Sequence, residues 1–283
     1  MSETNILIAN KQLLDEKIQK FKKSGKDNFY IVSDFDKTLT KAFWNGQKHP
    51  SVIAILREEN YLTSDYAGRA NELFEKYHPF EIDITMPWEA RKAKMLEWWL
   101  AHYELLKECG LTKDDLEKIV DSDRIQLRDN YKDFFGILDQ NNIPLVIITS
   151  NGLGGDVIKM VFKRFDIIGD DIYLIANEII WDEKGSFQDI KKPVINVLNK
   201  DEIIIEDEKI QNRIKNRNNV ILIGDSEGDL GMISHLKYNN IIKIGYLNEK
   251  EEELKDKYLE IFDIVILNDK GLEYVINVLK QII

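Results

Sequence analysis

The chain is nearly without cysteine. Cys109 is the only one in 283 residues, so no intrachain disulfide can form, and a reducing compartment fits. No apolar run approaches the roughly 18 residues that a membrane span needs. Residues 1–10 lack the basic start and apolar stretch of a secretion leader. Together these absences point to a cytoplasmic protein with no membrane partner. Basic excess is missing too: 39 Lys and Arg face 50 Asp and Glu, a net charge of −11. General binding to nucleic-acid polymers or acidic bilayers needs the opposite sign. An anionic small molecule remains possible where the local field is positive. No internal repeat, low-complexity segment or exposed apolar stretch stands out, and a monomer is expected.

The chain is 43% hydrophobic and 31% charged, enough for a sizeable core beneath a polar surface. Its length suits one large domain or a core with a smaller companion. Two short acidic motifs carry most of the chemistry. Asp34-Phe35-Asp36-Lys37-Thr38-Leu39-Thr40 directly follows the strand-like run Phe29-Tyr30-Ile31-Val32. Gly224-Asp225-Ser226-Glu227-Gly228-Asp229 directly follows Val220-Ile221-Leu222-Ile223. In open α/β sheets, ligands bind beyond the carboxyl ends of the strands. If the two strands are neighbours, four acidic side chains converge and require a cation. Oxygen-only donors favour Mg²⁺.

Between these motifs the texture changes twice. Residues 11–24 fit a surface helix closed by Gly25. Residues 50 to about 132 are helical in period, with a long helix opened by Pro87 and stopped by Gly110. Strand and helix alternate again from about residue 133. Ile143–Ile148 reads as a buried strand ending at Thr149-Ser150-Asn151-Gly152, with a helix over about 155–165 behind it. Residues 172–181 read as a strand or strand pair, and Asp182-Glu183-Lys184-Gly185 as a hairpin turn. Further expectations are a helix over about 201–216, short strands at 241–244 and 263–267, and a final helix from 272. The charged run 249–257 reads as a solvated helix face. The fold expected is α/β, a Rossmann-like, mainly parallel sheet with helices on both faces. Residues 1–48 and 133–283 form its core, and 49–132 a helical insertion after the first strand.

A strand-end carboxylate can attack phosphorus and become an aspartyl-phosphate. A second one nearby can protonate the leaving oxygen and later activate water. Asp34 and Asp36 supply such a pair, although one Asp-x-Asp alone is as readily a solvated acidic turn. Asp225, at its strand end, suits a metal, and Asp229 reaches it directly or through water. Gly224 and Gly228 would let that loop bend tightly. The Ser150 hydroxyl and the N–H groups of Asn151 and Gly152 suit phosphate oxygens. Lys200 would offset the carboxylates and stabilise transition-state charge.

The order Asp-x-Asp-x-Thr, Ser, Lys, Gly-Asp-x-x-x-Asp resembles the haloacid dehalogenase superfamily of aspartyl-phosphate phosphatases. That resemblance implies Asp34 as nucleophile, Asp36 as acid/base and Thr38 as loop support. It implies Ser150 and Lys200 at the phosphate, and Mg²⁺ at Asp34, the Asp36 carbonyl, Asp225 and Asp229. The insertion is then similar to a helical cap that selects substrate. Val32-Ser33-Asp34-Phe35-Asp36, Phe80-Glu81-Ile82-Asp83, Met95-Leu96-Glu97-Trp98-Trp99, Asn199-Lys200 and Gly224-Asp225-Ser226 resemble the cytosolic pyrimidine 5′-nucleotidase (type III) family. This implies hydrolysis of nucleoside 5′-monophosphates such as CMP or UMP, with Glu97 reading the base. A mid-helix Glu beside aromatics can accept hydrogen bonds from a base that stacks on them. Glu97, Trp98 and Trp99 cannot all face one way, so at least one Trp is expected in the packing of the insertion. Two departures, Asn151 in a Ser-Ala-Gly-like loop and Asn196 where His is common, leave the nucleobase open. A phosphatase for phosphoserine or another small phosphomonoester, or a slowly hydrolysing phospho-accepting regulator, are the competing readings.

Overall fold

The structure is a computed structural model that describes residues 5–283 apart from 45, 49, 50, 60 and 84. Residue 49, the expected start of the insertion, therefore lies outside the described residues, as do residues 1–4. The strands are β1 (Ile6–Ile8), β2 (Phe29–Ser33), β3 (Phe43–Trp44), β4 (Gln47–Lys48), β5 (Leu145–Ile148), β6 (Ile172–Ile175), β7 (Ile179–Trp181), β8 (Phe187–Ile190), β9 (Asn219–Gly224), β10 (Asn240–Leu247) and β11 (Ile264–Leu267). The helices are α1 (Lys11–Ser24), α2 (Val52–Glu58), α3 (Tyr66–Ile82), α4 (Trp88–Glu108), α5 (Lys113–Asp121), α6 (Tyr131–Gln140), α7 (Gly154–Arg164), α8 (Glu208–Ile214), α9 (Glu251–Ile261) and α10 (Glu273–Ile282).

Seven strands form one sheet in the order β1-β11-β10-β9-β2-β5-β6. Every pair is parallel except β1 with β11. The two strands that end in acidic motifs are neighbours, with Ser33 opposite Ile223. β2 and β9 are buried at every position, as strands covered on both faces must be. Alternate residues feed two layers. Phe29, Ile31, Ile221 and Ile223 pack on the side of α1, α7 and α10. Tyr30, Val32, Val220 and Leu222 pack against Ile210 and Ile214 of α8. This is the α/β sheet with helices on both faces that the alternating pattern predicts.

Local signals hold at most boundaries. Asn10 caps α1 by accepting the Leu13 N–H at 3.0 Å, and Gly25 ends it at φ 82°. Pro87 precedes α4, whose 21 residues stop just before Gly110 at φ 73°. The hairpin at Asp182–Gly185 joins β7 to β8 in a separate two-stranded sheet. The expected helix over 201–216 is instead a 3₁₀ turn at Lys200–Glu202, an extended stretch, and α8. The β-branched run Ile203-Ile204-Ile205 resists helix, and Asp207 caps α8 through the N–H groups of Lys209 and Ile210. β10 is eight residues long rather than four. β1 carries no visible signal, being a three-residue edge strand.

Between β4 and α6 the described chain contributes no strand to the large sheet; it supplies α2 to α5. Their buried side chains, among them Ile55, Tyr66, Tyr103 and Leu116, join one core layer without a break. The chain leaves and returns side by side: Thr40 pairs with Leu127, and Lys41 N–H donates to Gln126 O at 2.9 Å. Trp98 stacks on Tyr77 with centroids 6.2 Å apart, so it is packing between α3 and α4.

His102 of α4 shares a 3.0 Å hydrogen bond with the Tyr66 hydroxyl. Burial, then the Arg57 guanidinium, push its pKa down to about 4. The unfolded chain takes up that proton near pH 6.5, so this group's contribution is complete above that pH. It is lost as pH falls through about 4. We expect it to account for on the order of 2 kcal/mol between pH 7 and 4. Urea midpoints of the wild type and His102→Gln should converge on acidification; a constant gap would refute the assignment.

Candidate active site

β2 and β9 set the site by ending together. Asp34 N–H donates to Ile223 O at 3.0 Å, which continues the ladder one step past β2 and holds the Asp34 side chain at the Gly224–Asp225 turn. Asp34, Asp225 and Asp229 each offer a carboxylate oxygen within 4.8 Å of the others. Lys200 lies among them, 3% exposed, with Nζ 2.6 Å from Asp34 Oδ1 and 2.7 Å from Asp229 Oδ1. Burial, Asp229 and Asp36 raise the Asp34 pKa, and Lys200 opposes the rise. Burial, then Asp229 and Asp34, hold Asp225 well above the usual carboxylate range. Lys200 is driven up by its two carboxylates against the effect of burial and stays charged.

The three carboxylates do different work. Asp229 Oδ2 accepts the N–H groups of Asp225 and Ser226 at 2.9 Å and the Ser226 hydroxyl at 3.0 Å. With Lys200 on Oδ1, its acceptor sites are nearly filled. It braces the turn, which leaves Asp34 and Asp225 with open oxygens for a cation. An all-oxygen set of this kind fits Mg²⁺.

Gly224 and Gly228 serve by absence of bulk rather than by bending. Neither has positive φ. A Cβ on Gly224 would lie 2.5 Å from Asp229 Cβ, and one on Gly228 would lie 2.3 Å from Val197 O. On Gly231 it would meet Asp201 N at 2.6 Å. Gly228 and Gly231 let the Glu227–Ile233 turn sit against the segment that delivers Lys200, and Gly224 lets Asp229 close on the end of β9. That segment is fixed by buried amides: Asn199 Oδ1 accepts the Asn196 N–H at 2.7 Å, and Asn196 Oδ1 accepts the Leu198 N–H at 2.9 Å.

Asp36, the expected fourth carboxylate, stands outside this cluster. Its Oδ2 accepts Asn151 Nδ2 at 2.7 Å, and the Val52 N–H also faces the Asp36 carboxyl group. Burial raises its pKa; the Asn151 bond and Lys37 oppose that. The loop that carries it is held by residues which the motif did not suggest. Thr40 Oγ1 accepts the Lys37 N–H at 2.8 Å, whereas the buried Thr38 hydroxyl has no partner among the described residues. Arg128, fully buried, donates to Thr38 O and Lys37 O and to Asn248 Oδ1, and pairs with Asp269 at 2.9 Å.

The Ser150 loop follows β5 as expected. The Asn151 N–H, expected at phosphate, instead donates to Thr149 Oγ1 at 3.2 Å. A Cβ on Gly152 would meet Ile53 Cδ1 at 2.4 Å, so α2 rests directly on this loop. α4 reaches the site at two points. Trp99 Nε1 donates to Ser150 O at 3.2 Å, and buried Lys92 reaches Asp201 at 2.8 Å and Glu202 at 2.9 Å. Lys92 shares a helix face with Met95 and Trp99, and a lysine inside that apolar stripe is the signal that could have exposed the pair. Glu97 is two residues before Trp99, on nearly the opposite side of the helix, half-exposed and paired with Lys94 at 2.8 Å.

A mainly parallel sheet whose central strand ends bring these acids and a lysine together is the core of a haloacid dehalogenase-type phosphatase, a phosphoric monoester hydrolase. The model of the pyrimidine 5′-nucleotidase (UMPH-1) family matches residues 37–283, and the chain belongs to that family. It is 31% identical over 284 residues to the mouse (Mus musculus) 7-methylguanosine phosphate-specific 5′-nucleotidase, covering 100% of this chain and 94% of that one. It is 32% identical over 281 residues to the Xenopus laevis 7-methylguanosine phosphate-specific 5′-nucleotidase A, covering 99% and 96%. A crystal structure of cytosolic 5′-nucleotidase IIIB bound to cytidine superposes with TM-score 0.89 at 26% identity, covering 99% of this chain and 94% of that one. Among the described residues, no helix is long and apolar enough to cross a membrane.

The close packing at Gly224 generates a prediction. Gly224→Ala forces Asp229 away from its two N–H groups and from Lys200. We expect a folded protein with kcat reduced about 100-fold, the scale of loss for misplacement near 1 Å. Retention of more than half the activity would show that the turn tolerates the added methyl.

Proposed function

We propose that the chain hydrolyses pyrimidine nucleoside 5′-monophosphates, CMP and UMP, to nucleoside and phosphate with Mg²⁺ and through an aspartyl-phosphate on Asp34. The observation that carries this reading is the meeting of Asp34, Asp225, Asp229 and Lys200 at adjoining strand ends, with Asp36 on its own partners beside them. Mg²⁺ would be held by Asp34 and Asp225, with the Asp36 carbonyl alongside and Asp229 behind them. When bound, it supplies charge neutralisation for the carboxylates and the phosphate.

An Asp34 oxygen attacks phosphorus and forms the P–O bond to the enzyme. As the ester bond breaks, the Asp36 proton passes to the nucleoside oxygen. Water then gives its proton back to Asp36 and attacks phosphorus, and the Asp34 carboxylate leaves. Lys200 offsets charge on the transferring group. The Ser150 hydroxyl and the Gly152 N–H hold phosphate oxygens. In this reading residues 49–132 are the cap, joined to the core through Val52, Lys92 and Trp99. Glu97 accepts hydrogen bonds from the base once it leaves Lys94.

A second substrate, 7-methylguanosine 5′-monophosphate, is favoured by the names of the relatives at 31–32% identity. Its cationic base suits stacking on aromatic faces such as those near Trp98. Phosphate release from CMP, UMP, 7-methylguanosine monophosphate, phosphoserine and p-nitrophenyl phosphate, with Mg²⁺ or EDTA, separates the readings. We expect Mg²⁺-dependent release from a nucleotide and a loss of at least about 1,000-fold in Asp34→Asn. A preference for phosphoserine would discard the nucleotide assignment but keep the chemistry. Glu97→Gln should raise KM for the preferred nucleotide several-fold and leave p-nitrophenyl phosphate unchanged. Equal effects on both substrates would remove Glu97 from base recognition.

A further inference from the structure

Asn151 is enclosed, 4% exposed, and fixed at every polar atom. Its N–H donates to Thr149 Oγ1 at 3.2 Å, and its carbonyl accepts the Gly154 N–H at 3.1 Å. Oδ1 accepts the Leu153 N–H at 2.9 Å. An N–H donor at Oδ1 settles which way the side-chain amide faces, because the reversed amide would set two donors against each other. Nδ2 is thereby aimed at Asp36 Oδ2, 2.7 Å away. The amide is neutral, cannot titrate and has no freedom to follow a moving carboxylate.

We propose that Asn151 is a positioning residue for the acid/base carboxylate: its amide anchors Asp36 Oδ2 and so fixes the orientation in which the carboxyl meets the leaving oxygen. Asn151 sits one residue after Ser150, so the same rigid turn registers the acid against the phosphate loop. A carboxylate free to rotate would present the proton in a fraction of encounters only. The proposal rests on Asp36 acting as the acid, and the test below separates the two.

The test exploits the leaving group. A nucleoside alkoxide needs a proton as the P–O bond breaks; p-nitrophenolate does not. The measurement is kcat/KM, which reports steps up to the first irreversible transfer, for the preferred nucleotide and for p-nitrophenyl phosphate with Mg²⁺. Full-length wild type, Asn151→Ala, Asn151→Ser and Asp36→Asn are compared. Asn151→Ser can keep the turn by accepting the Leu153 N–H, yet is too short to reach Asp36. We expect Asp36→Asn to lose about 100-fold or more on the nucleotide, the scale of general acid catalysis. Both Asn151 variants should lose about tenfold more on the nucleotide than on the aryl ester, and Asp36→Asn about 100-fold more. Equal losses on both substrates, or none, in the Asn151 variants while Asp36→Asn discriminates would overturn the positioning role and leave Asp36 as the acid. Failure of Asp36→Asn to discriminate would instead overturn the acid assignment itself, and the role of Asn151 with it.

Discussion

The Lys200 ammonium, buried between Asp34 and Asp229, is the interaction on which the rest depends. Three carboxylates taken out of water at one place repel one another, and a single permanent cation offsets only part of that charge. A buried ion pair of this kind is weak evidence for stability. Its geometry explains the surroundings instead. The turn that carries Asp229 must press against the turn that carries Lys200, which is why Gly228 and Gly231 have backbone atoms where side chains would otherwise stand. Asp229 spends its oxygens on the turn and the lysine. Asp34 and Asp225 keep the net negative charge that a divalent ion would answer.

The fold was largely legible because its signals are local. Fully apolar runs of strand length, Gly25 at the end of α1, and Pro87 and Gly110 around α4 act within a few residues. The strand ends were legible for a related reason: a parallel sheet gathers its loops at one edge, so motifs far apart in sequence meet. What escaped depends on pairing across the chain. β1 is defined only by its partner β11. The stretch after Lys200, expected as helix, is not one because Ile205 enters the core layer beneath β2 and β9. Arg128, Lys92 and the side chain of Asn151 show no role until their partners, more than 80 positions away, are seen. The resemblance pointed to Thr38 as the support of the loop; the hydroxyl that does this is that of Thr40.

α4 shows how one helix can serve two neighbourhoods. Met95, Tyr103 and Leu106 are buried along it, and Tyr103 stacks on Phe187 of β8. Lys92 and Trp99, seven residues apart and so almost on one line of the helix, meet the Lys200 turn and the Ser150 turn respectively. A rigid rod fastened at two points cannot slide along the crevice, although it can still lift from it. Trp98 faces α3, so the adjacent tryptophans divide the work of packing and contact.

The side-by-side exit and return at Thr40 and Leu127 has a consequence for how the chain between them can vary in length. Arg128, next to the return point, grips the carbonyls of the loop that bears Asp36, so the ends of the excursion are sewn to that loop itself. Whatever lies between those ends is, in chain topology, a closed ear, and its buried side chains complete the core layer they share with the sheet. Ring closure is already made, and lengthening the ear adds little entropy cost. Changes of length between those ends need not disturb the register of the loop that bears Asp36.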